Sequence, residues 1–162
     1  MDYEQGKSKV RELIKDIKVC MLTTMTAEGR HVSRPMGVQE AEFDGDLWFF
    51  TFADSSKAKE IQLNPQVNVA FSDTGSNTWV SLSGVAELVE DRDKAEELWN
   101  PLLKAWFTEG LDTEGLMLIK VHADTAEYWD APNGKAVMLF GAIKAAVTGE
   151  PPKAGDNETV QL

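Results

Sequence analysis

The sequence predicts an α+β fold, mainly β: a small antiparallel barrel with helices at its ends. Three observations carry this. About six short segments alternate apolar and polar residues or are rich in β-branched and aromatic side chains, each bounded by turn residues. Segments with a 3.6-residue period are few and flank the strands, without the regular alternation of a doubly wound sheet. The length of 162 residues, with 43% hydrophobic and 27% charged residues, suits one domain with a core of its own.

In chain order, Val10, Leu13, Ile14 and Ile17 fall at helical spacing with charged residues between them and predict a surface helix. Residues 19–26 read as a strand, 27–30 as a turn and 31–39 as the returning strand. Pro35 cannot donate to a ladder and so places that second strand at an edge or bulge. After the turn at 43–46, residues 47–52 form the strongest strand. A short helix over 56–63 should stop at Asn64-Pro65. Residues 66–72 alternate as a strand, 74–77 turn the chain, and 78–88 alternate again with a bulge expected at Gly84. From Asp91 the period changes: Ala95, Leu98, Trp99, Leu102, Leu103, Trp106 and Phe107 form one stripe, with Asn100 capping a second helical segment at Pro101. Residues 116–121 and 125–129 are the last two strands. Ala136, Val137, Phe140, Ile143 and Val147 predict a final helix. The domain is expected over 1–148, and 149–162, poor in apolar residues, as a mobile tail.

The net charge of −11 excludes nucleic acid and an anionic membrane as bulk partners, because both need a basic field. Any anion must be held locally. Cys20 alone allows no internal disulfide and suits a reducing compartment. The first residues lack the charged and apolar regions of a signal peptide, and no run approaches 18 apolar residues, so a cytoplasmic location is expected.

Chemistry concentrates at Thr51 to Glu60. A strand runs directly into a helix whose first turn carries Ser55, Ser56, Lys57 and Lys59. Helix N-termini favour acids, so two lysines there oppose the dipole unless an anion shares the site. The plainer reading is a serine cap beside two solvated lysines. Arg34, next to Pro35, offers a planar fork for phosphate or a carbonyl, or a rim ion pair. Trp48, Phe49, Phe50, Phe52, Trp79, Tyr128 and Trp129 all lie on predicted strands, and alternation points Phe49 and Phe50 to opposite faces. His31 and His122 fit no metal spacing. No hydrolase elbow or glycine-rich nucleotide loop is present.

The ordered series Ser33-Arg34-Pro35-Met36, Leu47-Trp48-Phe49-Phe50-Thr51, Ser55-Ser56-Lys57 and Asn64-Pro65-Gln66-Val67 resembles the pyridoxamine 5′-phosphate oxidase-like flavin-binding split barrels. Glu97-Leu98-Trp99, Ala105-Trp106-Phe107 and Glu127-Tyr128-Trp129-Asp130 are similar to its general stress protein branch. The resemblance covers roughly residues 8–145. It implies a six-stranded antiparallel split β-barrel with flanking helices, and a homodimer holding FMN, or alternatively FAD, at two sites between subunits. Arg34 would sit near the flavin ring or phosphate. Phe50 and Thr51 would line the ring and ribityl chain, and Ser55, Ser56 and Lys57 would hold the 5′-phosphate. Trp79 would border the flavin, and Trp129 would reach it from the other subunit. A flavin-dependent oxidoreductase with a nicotinamide electron donor is one implied role; a non-catalytic flavin carrier or sensor in a stress response is the other. Ser56 stands where the true oxidases have an arginine. Residues 131–136 lack their arginine–histidine substrate clamp, so pyridoxamine phosphate oxidation itself is not expected.

Overall fold

A computed structural model of the chain describes residues 1–131, 135–149 and 155–162, with side chains outside 135–141. The elements follow as α1 (Tyr3–Ile14), β1 (Val19–Met25), β2 (His31–Gly37), β3 (Asp46–Phe52), α2 (Ser56–Leu63), β4 (Gln66–Asp73), β5 (Thr78–Val89) and α3 (Arg92–Leu98). Then come 3₁₀ turns at Pro101–Ala105 and Gly110–Asp112, β6 (Leu116–Asp130), α4 (Lys135–Thr148) and β7 (Asp156–Gln161).

All pairing is antiparallel, along the path β2-β1-β4-β5-β6-β3. The sheet curls into a half-barrel split between its edge strands β2 and β3. Pro35 lies on edge strand β2, where its missing N–H costs little. The inner face holds Leu22, Phe49, Phe71, Val80, Leu82, Ile119 and Val121, all essentially dry. Full burial of side chains of this size contributes roughly 1.5–3 kcal/mol each. The other face of β3 is covered too: Phe50 packs with Leu98, Phe107 and Leu118, and Trp48, Phe52 and Trp99 lean on this second cluster. Phe49 and Phe50 therefore point oppositely, as alternation requires, and both are core.

The bulge falls where expected. Ser83 pairs Thr125 while Gly84 pairs Ala123, so Asp124 is the extra residue on β6. That single bulge lets β6 run unbroken for 15 residues, where two strands were expected. α1 starts earlier than the periodicity indicates, because Asp2 and Gln5 close a reciprocal capping box. The stripe after Asp91 is interrupted: Asn100 caps a 3₁₀ turn with Pro101 at its start. At three residues per turn the face rotates, leaving Leu102 77% and Trp106 70% exposed while Phe107 is buried.

The stretch 149–162, expected as a tail, ends instead in β7, which pairs with β6 from Thr125↔Gln161 to Asp130↔Asp156. Composition averaged over the segment hides two well-placed apolar residues, Val160 and Leu162, which enter the main core. Val160 lies beside Gly6 of α1, and the Tyr128 hydroxyl donates to Glu158 at 2.9 Å. Val160→Ala is expected to cost about 1.5 kcal/mol, the burial of two methyl groups, read as a lowered urea midpoint at unchanged slope. Of the final helix, α4 is present; Ala136, Val137 and Phe140 lie outside the described side chains, and Ile143 and Val147 are exposed.

Candidate functional site

The alternation of β3 sends Thr51 inward, where it is almost fully buried. Its hydroxyl lies 3.0 Å from the Ser55 hydroxyl. Ser55 has an extended backbone, and its Oγ accepts from the Ala58 N–H at 3.3 Å, so it is the N-cap of α2. No acidic residue sits in the first turn of this helix. The serine cap and the anion reading are thus compatible: the cap satisfies one N–H and leaves others facing outward.

Lys57 is half-buried in that turn and, among the described residues, has no carboxylate partner. Its pKa is pushed below the ordinary lysine value, first by burial and then by the nearby Arg34 cation. An unneutralised cation beside a second cation, in a chain of net charge −11, is an arrangement that an anionic ligand would relieve.

Arg34 sits on β2 at the same parity as the inward-facing Met36. Its Nη1 donates to Thr24 Oγ1 at 2.6 Å and reaches the Leu22 carbonyl at 3.4 Å; its Nη2 donates to Glu60 Oε2 at 3.0 Å. The Thr24 hydroxyl donates to that same Glu60 oxygen. Thr24 is 1% exposed, and the Arg34–Glu60 pair is largely shielded from water. The Arg34 guanidinium is therefore held inside the protein, and among the described residues Lys57 is the half-buried cation of this cluster without a carboxylate partner, with Lys59 exposed two residues on.

Arg34, Thr51, Ser55 and Lys57 thus converge at one end of the barrel under α2. Ser56 is in the same turn but exposed. Phe50 sends its ring away, edge-on to Trp99 at 5.7 Å, so only its main chain on edge strand β3 faces this end. Trp79 and Trp129 are not part of the cluster. They oppose each other across β5 and β6, 40% and 39% exposed, on the outer face. Trp79 stands seven residues along β5 from Ala86, whose N–H bonds Pro65 just after α2, a span of roughly 23 Å. The sequence reading missed Thr24 and Glu60. Glu60 is the one acid in α2, one turn after Lys57 on the same face, and Thr24 continues the inward set Cys20, Leu22; neither cue carries chemistry until Arg34 joins them.

Two clefts lie elsewhere. One of about 500 Å³ opens between the end of α1, residues 38–43 and the start of β3; one of about 360 Å³ lies beside the start of α3. Neither is lined by Arg34, Ser55 or Lys57. Nucleophile and metal chemistry find no support among the described residues. Cys20 is buried with its pKa pushed up to about 12, His31 is exposed, His122 pairs with Asp46 at 2.8 Å, and no cluster could hold a metal ion. No described helix is long and apolar enough to cross a membrane. What the arrangement can do is hold an anion against Lys57 and the start of α2.

Known proteins resemble this chain over most of its length. The profile of a family described as pyridoxamine 5′-phosphate oxidase like matches residues 5–153. Protein bli-3 of Neurospora crassa is 30% identical over 144 residues, covering 83% of this chain and 69% of bli-3. Among solved structures, a Jannaschia sp. CCS1 protein named for general stress protein 26 is 26% identical with a TM-score of 0.79, covering 98% of this chain and 99% of that one. The general stress FMN/FAD binding protein of Xanthomonas citri is 28% identical with a TM-score of 0.69, covering 81% and 92%.

Proposed function

The chain belongs to the pyridoxamine 5′-phosphate oxidase-like family, and from that premise we propose that it binds FMN as a flavoprotein of the general stress type. The observation that carries this is Lys57, a half-buried cation without a carboxylate partner at the start of α2. A half-buried cation together with helix N–H groups suits a single terminal phosphoryl group, the distinguishing feature of FMN. Ser55 and Ser56 add hydroxyls beside it, and Thr51 and the edge backbone of Phe50 border the path toward the ring. The bound flavin supplies the redox chemistry; the protein positions it and excludes water.

The second element of the reading is a homodimer. Val19, Met21, Trp79, Val85 and Trp129 are exposed large apolar residues that alternation places on the outer face of β1, β5 and β6. Aromatic surface of this kind marks interaction sites. Trp129 stands beside Trp79 on the outer face and takes no part in the Arg34–Lys57 cluster, so in this reading a flavin held at Lys57 meets Trp129 through a second copy. Trp129→Ala is expected to weaken FMN about fivefold, the loss of one aromatic contact, and to shift the monomer–dimer midpoint upward in concentration through linkage. Titration calorimetry and sedimentation read the two effects.

The primary test is a titration of the purified chain with FMN and with riboflavin, followed by quenching of tryptophan and flavin fluorescence. Saturable FMN binding with weaker riboflavin binding is the expected result, and absence of saturation at micromolar FMN overturns the reading. Anaerobic mixing with NADH or NADPH then separates the two roles: bleaching of the flavin absorbance identifies an oxidoreductase, and an unbleached bound flavin a carrier or sensor.

A further inference from the structure

Within that flavin-binding reading, Glu60 is the residue with no assigned part. Its Oε2 receives two donors, the Thr24 hydroxyl and Arg34 Nη2. Arg34 Nη1 closes the loop onto Thr24 Oγ1 at 2.6 Å. The result is a three-residue ring in which one carboxylate oxygen and one buried hydroxyl hold the guanidinium from β2 against α2. Glu60 stands one helical turn from Lys57, on the same face. Its charge therefore acts on the same volume as the two cations. Of the two cations in the Arg34–Lys57 cluster, Glu60 offsets the charge of one, Arg34, by pairing with it directly.

We infer that Glu60 is a specificity-determining and positioning residue: an internal counter-charge that occupies Arg34 and so limits how strongly the site grips a phosphoryl group. This separates two features that the chemistry of a phosphate site would otherwise merge. Lys57 is the ligand-facing cation, whereas Arg34 is a cation already committed to an internal acid. Arg34 still reaches Lys57 electrostatically, as the direction of the Lys57 titration indicates. The compensation by Glu60 is thus partial, and an incoming phosphoryl group competes with a carboxylate that cannot leave.

The inference rests on the flavin reading, and the experiment keeps the two apart. Glu60→Gln retains the shape and one acceptor oxygen for Thr24 and Arg34 but removes the charge. The parent, Glu60→Gln and Glu60→Asp are each titrated with FMN, riboflavin and inorganic phosphate at two salt concentrations, with near-ultraviolet circular dichroism confirming native packing. Expected is about a tenfold tighter FMN and phosphate affinity for Glu60→Gln, with a steeper dependence on salt. Riboflavin, which lacks the phosphate, should not change. Glu60→Asp keeps the charge and should return affinity to near the parent value. If Glu60→Gln does not fold, the same contrast is read from Glu60→Ala. Unchanged or weakened FMN binding in Glu60→Gln overturns the inference, as does equal tightening of FMN and riboflavin. A parent that binds neither flavin overturns the flavin reading first and the inference with it.

Discussion

Replacing Lys57 by alanine is expected to weaken FMN binding by about 1.5–3 kcal/mol, the range for a charge-assisted hydrogen bond. That is roughly ten- to a hundredfold in Kd. Riboflavin affinity should stay within twofold, because Lys57 faces the phosphate end. The pH dependence carries the same signature. Burial and the Arg34 cation hold the Lys57 pKa below its usual value, and a phosphate dianion favours the protonated amine. Binding therefore takes up a proton above the lowered pKa, and FMN affinity falls as pH rises through it, before an ordinary lysine would titrate. The alanine variant should lose that slope. Stability moves the other way. In the window between the lowered pKa and the ordinary one, the unfolded chain binds the proton and the folded chain does not, so stability of the ligand-free protein rises with pH there. Lys57→Met should accordingly raise the thermal midpoint of the ligand-free protein while reducing the stabilisation by a given concentration of FMN. A lysine that is merely solvated would show neither effect, so calorimetry with and without FMN decides the matter.

Gly84→Ala is expected to cost about 3 kcal/mol, the upper part of the usual range for overpacking. A Cβ at Gly84 would sit 2.1 Å from the His122 carbonyl oxygen and 2.9 Å from Ala123 Cα. Both contacts are main chain, so no side chain can swing aside. The clash falls at the bulge that lets β5 keep pairing along β6 past Asp124, and its relief requires shifting the ladder that carries β3 and β7 as well. Against a total stability of roughly 5–15 kcal/mol this is a large fraction. The measurement is a urea transition with lowered midpoint and unchanged slope. Gly37→Ala is the control: a Cβ there meets nothing within 4 Å, and the change should stay within about 0.5 kcal/mol.

The local signals in this chain read well. Alternation along 47–52 placed Phe49 and Phe50 on opposite faces. Pro65 marked the end of α2, Asn100 and Pro101 marked the break after α3, and Gly84 marked the bulge. Each depends on residues within a turn or two of one another, where backbone sterics and capping act directly. The failures share a cause as well. β7 looked like a tail because its stability comes from two side chains entering a core built by distant residues. The stripe through Leu102 and Trp106 broke because a 3₁₀ turn changed its phase.

The candidate site divides in the same way. The start of α2 was visible from its own letters, since two lysines in a first turn oppose the helix dipole whatever the rest of the chain does. The sequence alone thus marked a lysine-bearing helix start inside a strand-rich fold as the place to look for an anion site. It left open which cation is free. That was decided by the curling of the sheet, which carries Arg34 across β1 to Thr24 and Glu60 and leaves Lys57 unmatched. It was also the sheet register that set Trp79 against Trp129 on the outer face. The physical reason is range: dipoles, caps and alternation act between neighbours along the chain, whereas charge pairing and burial act between whatever the register brings together.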